Sequence, residues 1–184
     1  MLIVFTGNGK GKTTAALGQA VRAVGRGRNA LMIQFIKGPW KSGEDFIEIS
    51  TKIGHPLDGK NKATGNGRFE LKKMGLGFVG ILGDKLPKEE HSKAAKEALN
   101  YFKSELCQRD VLILDEVNVA VSLGLLTAEE VLETIKDLPI EKIVLFTGRG
   151  APESFIERAD LVTEMKEVKH PFNNKELAKI VVEF

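Results

Sequence analysis

The run Gly7-Asn8-Gly9-Lys10-Gly11-Lys12-Thr13-Thr14 has the residue types of a phosphate cradle. Its glycines let the backbone turn N–H groups toward an anion, and a helix opening at Lys12 adds the positive end of its dipole. In such a loop Lys12 would set a point charge on phosphate oxygens, and the Thr13 hydroxyl would ligate Mg²⁺. The spacing is unusual: the common pattern G-x-x-x-x-G-K-[ST] has four residues between its glycines, whereas three separate Gly7 from Gly11. The motif alone therefore does not imply the ordinary pose of a triphosphate. A second group, Val111-Leu112-Ile113-Leu114-Asp115-Glu116, is an apolar run ending in two acids. Beside a phosphate loop such an acid reaches the metal, directly or through water. An Asp-Glu pair also suits an ATPase whose glutamate orients an attacking water, and that alternative stays open. Thr147-Gly148-Arg149 places an arginine where phosphate oxygens could be clamped bidentately. The three histidines, His55, His91 and His170, are scattered and read as structural. With the lone Cys107 they support neither a zinc site nor a Cys-His nucleophile pair.

These groups need a scaffold that brings them to one edge. Short apolar runs alternate with amphipathic stretches, the pattern of βαβ units around a mostly parallel sheet flanked by helices. Leu2 to Thr6 reads as a buried strand, and Lys12 to Val24 as a helix with Ala16, Ala20 and Val24 on one face and Gly25 as its stop. Ala30 to Ile36, Val111 to Asp115 and Lys142 to Thr147 read as further interior strands. Lys88 to Leu106 carries Ala94, Ala95, Ala98, Leu99, Phe102 and Leu106 on one helical face. Thr127-x-x-Glu130 is a capping box opening a helix to about Asp137, and Pro152 suits the first turn of a short helix ending near Ala159. Leu161 to Glu167 resembles an edge strand. Gly54 to Gly83 is the least regular stretch, with only Phe69 to Met74 resembling a strand. In an open parallel sheet the carboxyl ends of the strands bind the ligand, and the loop, the acids and Arg149 all follow predicted strands.

The chain has 184 residues, 42% hydrophobic and 28% charged, which fits one globular domain over 1–184. A net charge of +2 gives no field that would imply nucleic acid or an anionic membrane as a partner. No apolar run reaches the roughly 18–20 residues of a membrane span, and Leu2 to Phe5 is too short for a secretory core. A single cysteine suits the reducing cytoplasm.

Taken together, the residues resemble the ATP:corrinoid adenosyltransferases. The likeness rests on Thr6 through Ala16 with its short glycine spacing, Gln34-Phe35-Ile36-Lys37-Gly38 with Trp40, Ile113-Leu114-Asp115-Glu116, and the stretch from Thr147-Gly148-Arg149 through Ala159-Asp160-Leu161-Val162-Thr163-Glu164 to Lys169-His170-Pro171-Phe172. The shortened cradle is a trait of that family. The resemblance implies a RecA-like P-loop fold and a homodimer, with ATP bound reversed relative to most P-loop enzymes. It also implies transfer of the 5′-deoxyadenosyl group of ATP to the cobalt of a reduced corrinoid, releasing triphosphate, with Mg²⁺ or Mn²⁺ and a flavoprotein as reductant. Cobalt(I) is itself the nucleophile, so the protein's tasks are to align C5′ with cobalt and to neutralise the leaving triphosphate. Lys10, Lys12, Thr13 and Arg149 would supply that charge, Asp115 and Glu116 would hold the metal, and Glu116 would ligate it directly.

Three departures fall on the corrinoid side and the tail. The family's Gly-Phe-x-Trp segment reads Gly77-Phe78-Val79-Gly80, so Phe78 is expected to cover an axial face of the corrinoid without its tryptophan. The chain begins at its first strand, without the family's N-terminal extension, so closure would fall to a stretch such as Gly54 to Gly67. Near the C-terminus Val181-Val182-Glu183 replaces Gly-Ile-Glu. Two other readings are carried: a P-loop NTPase or kinase acting at the γ-phosphate through Glu116, and a non-catalytic nucleotide- or corrinoid-binding module.

Overall fold

Four apolar runs too hydrophobic to face water on either side form the middle of one sheet: β1 (Leu2–Thr6), β2 (Ala30–Gln34), β4 (Val111–Asp115) and β5 (Ile143–Thr147). The computed structural model describes residues 1–38, 40–51, 66–81 and 83–171. With β3 (Phe69–Lys73) and β6 (Leu161–Glu164) at the edges, the strand order is β3-β2-β4-β5-β1-β6, and every pairing is parallel. Side chains alternate across each strand. Leu2, Val4, Leu31, Ile33, Leu112 and Leu114 meet α2 (Lys88–Glu105), α3 (Val117–Ser122), α4 (Ala128–Glu133) and α5 (Glu153–Arg158) on one face. Ile3, Phe5, Met32, Val111 and Ile113 meet α1 (Lys12–Gly25) on the other. There Ala16 and Ala20 are fully buried, and their small side chains let the helix lie close to the sheet.

Because all strands are parallel, their carboxyl ends share one rim. Gln34 pairs with both Asp115 and Lys73, and Phe5 pairs with Thr147. One strand, β5, separates the glycine-loop strand from the strand ending in Asp115. This is the mostly parallel, helix-flanked sheet expected of a RecA-like P-loop fold.

Several boundaries differ from expectation. The second strand stops at Gln34 rather than Ile36, because Met74 and Gly75 N–H both turn onto the Gln34 carbonyl and Phe35 N–H onto that of Asp115. The first helix continues through Gly25, and the left-handed residue after it is Gly27 (φ 73°). Pro152 caps α5 from outside instead of occupying its first turn. The Thr127 capping box forms as read, but α4 ends at Glu133 and tightens into i→i+3 turns toward Leu138. Helix α3 and a 3-10 turn at Gly43–Phe46, closed by a Ser42–Asp45 capping box, were not anticipated. The run Val117-Asn118-Val119-Ala120-Val121 is as apolar as a strand, and the helical turn buries Val117 and Ala120 against the core. The final strand is an edge strand as expected, shortened to Glu164.

Candidate active site

The glycine loop is shaped by the chain that leaves β6. Gly7 lies at φ 92°, and a Cβ there would come within 2.4 Å of the Met165 carbonyl. A Cβ on Gly9 would come within 2.7 Å of Lys166 backbone, and Gly9 N–H donates to Met165 O at 2.7 Å. Gly11 caps α1 in the left-handed region without any side-chain cap, so the first-turn N–H groups of the helix face outward as donors. Lys12 is nearly buried and folds back, its Nζ donating to Gly7 O (2.7 Å) and Gly9 O (2.6 Å). Burial holds its ammonium below the ordinary value; Glu116 and Asp115 oppose that shift, while Arg149 and Lys10 add to it. Thus Lys12 braces the cradle as well as charging it.

Thr13 donates its hydroxyl to Asp115 Oδ1 at 2.9 Å. Asp115 is fully buried and well occupied: Thr147 Oγ1 donates to the same oxygen (2.7 Å), Gln34 Nε2 donates to Oδ2 (3.0 Å), and Lys37 Nζ lies 3.4 Å from Oδ2. Its lone pairs go to these neighbours, and it orients Thr13 so that the hydroxyl's own lone pairs remain available to a cation. Glu116 is placed differently. It is the non-glycine residue with positive φ among those described (63°), and its N–H donates to Thr147 Oγ1 at 3.0 Å. This kink at the strand end opens α3 and brings the Glu116 carboxylate beside Gly148, where a Cβ would meet Oε2 at 3.1 Å. Burial, then the charge of Asp115, raises the Glu116 carboxyl above its ordinary value; Lys37, Lys12 and Arg149 pull the other way.

Arg149 is exposed, between Gly148 and Gly150 in left-handed conformations, and its charge is felt at both Lys12 and Glu116. Lys10, Asn8 and Thr14 are exposed on the loop and the first turn of α1. The structure therefore gathers Gly7 through Thr14, Asp115, Glu116 and Arg149 at one rim. Among the described residues no group of three or more His, Cys, Asp or Glu side chains could hold a metal unaided. The Thr13 hydroxyl and the Glu116 carboxylate are oxygen donors of the kind Mg²⁺ or Mn²⁺ takes, and they could hold such an ion only with phosphate oxygens completing its shell.

Phe78 stands apart on the segment after β3, 43% exposed, so it is not a core aromatic. The glycines around it serve close backbone approach: a Cβ on Gly38 would fall 2.6 Å from Gly77 Cα, and one on Gly75 2.3 Å from Phe35 O. Among the described residues Phe78 has one aromatic partner, Trp40, at 5.5 Å between ring centroids and 35° between planes. His91 is buried and bonded to Asp84 at 3.0 Å, a structural role as expected. His55, Phe172, Val181-Val182-Glu183 and most of Gly54 to Gly67 lie outside the described residues.

Sequence reasoning missed the partners of Asp115. Gln34 is fully buried at a strand end, a polar residue inside an apolar run, and that was the available signal. Asn118 is also fully buried; its Nδ2 donates to Phe5 O (3.3 Å) and Gly148 O (3.0 Å), tying the exits of β1 and β5 together.

A glycine cradle opening a helix, with a strand-end acid gripping the first-turn threonine, defines a P-loop α/β protein. Comparison then narrows the class: the family described as ATP:corrinoid adenosyltransferase BtuR/CobO/CobP matches residues 1–184, and the chain belongs to it. The chain is 36% identical over its full length to a corrinoid adenosyltransferase of Escherichia coli strain K12, of which it covers 85%. It is 34% identical to the corrinoid adenosyltransferase CobA of Salmonella typhimurium strain LT2, again over its full length and 85% of that protein. A corrinoid adenosyltransferase of Pseudomonas aeruginosa strain PAO1 is 35% identical across the whole chain and 83% of its own length.

Proposed function

We propose that this chain, as one domain over 1–184, transfers the 5′-deoxyadenosyl group of ATP to the cobalt of a reduced corrinoid, in adenosylcobalamin formation. Cobalt(I) donates an electron pair to C5′, a cobalt–carbon bond forms, the C5′–O bond breaks, and triphosphate leaves with that bond's electrons. The observation that carries the reading is the Thr13–Asp115 contact beside a lysine-braced glycine loop, on the rim from which the segment bearing half-exposed Phe78 also departs. Loop N–H groups, Lys10, Lys12 and Arg149 neutralise the leaving triphosphate. Thr13 and Glu116 hold a divalent ion directly and Asp115 holds it through Thr13; when bound, the ion supplies Lewis-acid stabilisation of phosphate charge. Phe78 covers an axial face of the corrinoid and keeps water or a base from that position. A flavoprotein supplies the electron that generates cobalt(I), the enzyme works as a homodimer, and the cytoplasm is its compartment.

The test is anaerobic incubation with ATP, Mg²⁺ and chemically reduced cobalamin. The expected outcome is one triphosphate per adenosyl group and negligible ADP. The raised carboxyl of Glu116 favours a second reading, in which it acts as base for transfer at the γ-phosphate. ADP formed at the rate of ATP loss would establish that reading, and corrinoid bound without turnover would leave a binding module.

A further inference from the structure

Lys37 is an ammonium shared between two carboxylates. Its Nζ lies 3.1 Å from Glu44 Oε1 and 3.4 Å from Asp115 Oδ2. Burial works against its charge, but Asp115 and Glu44 outweigh that effect and hold the group above its ordinary value. Gln34 spans the same two acids, with Nε2 at 3.0 Å from Asp115 Oδ2 and 3.3 Å from Glu44 Oε1. Among the described residues its Oε1 is buried without a donor, so the cluster holds an unused acceptor.

Beyond Glu44 the connection continues. Glu44 belongs to the 3-10 turn Gly43–Phe46, and its neighbour Asp45 is gripped by Lys73 Nζ at 2.5 Å. The same ammonium donates to Ser42 Oγ (3.1 Å) and to the Trp40 carbonyl (2.7 Å). Trp40 lies against Phe78. A contiguous set of contacts thus runs from Thr13 through Asp115, Lys37, Glu44, Asp45 and Lys73 to the Trp40–Phe78 pair. Contiguity alone does not couple two sites; coupling needs an element with two arrangements that both sites bias. Lys37, with carboxylates at 3.1 Å and 3.4 Å on two different segments, has two anions between which it can move.

We propose that Lys37 is a positioning residue that sets the Trp40–Phe78 pair according to the charge at the nucleotide seat. A divalent cation seated beside Thr13 competes with Lys37 for the charge of the Asp115 carboxylate, and the ammonium shifts toward Glu44. The turn carrying Glu44 moves, and Trp40, held to that turn by Lys73, moves with it. The inference rests on the reading that Thr13 and Glu116 receive the metal and Phe78 the corrinoid.

Trp40 is the chain's single tryptophan and is 59% exposed, so its emission reports this segment alone. The full chain is titrated with Mg²⁺-ATP, and separately with Mg²⁺ and inorganic triphosphate, a probe without a base to quench indole. ATP binding is measured in parallel by equilibrium dialysis. In the wild type, Trp40 emission changes with the same midpoint as binding, and metal-free ATP produces little change. Lys37→Met and the milder Glu44→Gln bind ATP but lose most of the emission change, and their corrinoid KM rises at least about fivefold, the lower range of site coupling. Lys37→Arg restores both. ATP binding without an emission change in the wild type overturns the proposal, as does a wild-type response in folded Lys37→Met and Glu44→Gln. Absence of ATP binding by dialysis overturns the nucleotide reading and this inference with it. Unchanged corrinoid affinity in Phe78→Ala with an intact Trp40 response overturns the corrinoid placement, while the nucleotide-to-Trp40 link stands.

Discussion

Lys12 and Thr13 are neighbours in sequence and do different work. Lys12 holds two loop carbonyls, whereas Thr13 is the loop's tie to Asp115 across the rim. Both Lys12→Ala and Thr13→Ala are expected to lower turnover at least about tenfold, since a charge-assisted bond contributes roughly 1.5–3 kcal/mol. Lys12→Ala should also leave the loop less ordered, readable as faster amide exchange at Gly7 to Gly11, and Thr13→Ala should not. Wild-type rates in folded variants at saturating metal would remove these residues from the mechanism. For Phe78, half exposed against Trp40, truncation to alanine should depress turnover from cobalt(II) corrinoid with a flavoprotein more than turnover from prepared cobalt(I). ATP affinity should change little. Equal losses in both assays would reject an axial-face role.

The elements show why glycine is required at some positions and only tolerated at others. At Gly7 a Cβ would strike Met165 backbone at 2.4 Å, but at Gly11 the nearest atom is the flexible Met165 Sδ at 3.7 Å. Gly11→Ala should therefore cost little beyond the left-handed backbone, about 1–2 kcal/mol. Gly7→Ala must displace the exit of β6 as well, so a larger fall in Tm and near-complete loss of turnover are expected. The clamp on the 3-10 turn gives a pH prediction. Burial opposes the Asp45 charge, but hydrogen bonds from Lys73 and Ser42 prevail and hold its carboxyl below the ordinary 3.8. A depressed folded-state value adds stability that is present above 3.8 and lost as pH falls through the lower folded value. Asp45→Asn should be less stable than wild type near neutrality, the gap narrowing under acid; a gap constant with pH would reject the assignment. The glycine loop, the acids of β4 and the sheet class were readable because apolar runs and motif spacing are local signals. Gln34, Lys37 and Glu44 were not, because their meeting depends on β2 lying beside β4, and sequence spacing carries no trace of that. Helix α3 was hidden for another reason: its residues suit a strand, and only the kink at Glu116 turns them into a helix.

The whole molecule divides its core between two faces of one sheet, and the edges carry little of it. Leu112 is fully buried in the middle, whereas Val162 in β6 is 40% exposed. Leu112→Ala should cost about 2–5 kcal/mol, the range for buried leucine truncation, and Val162→Thr less than about 1 kcal/mol by denaturant unfolding. Comparable costs would mean that β6 is covered by something further. The order of the strands also has a consequence for how the protein is made. Among the described strands β1 is the earliest in the chain, and it pairs with β5 and β6, the latest two. The cradle after it takes its shape from Met165 and Lys166, nearly the full length of the chain away. Contacts that distant form late, because the intervening chain must be ordered first. During synthesis the phosphate loop therefore exists as sequence long before it exists as a site. A nascent chain stalled ahead of β5 would present Gly7 to Thr14 without the wall that holds them open. The cradle would then take its shape in one step, when β6 joins β1 and brings Met165 and Lys166 against it.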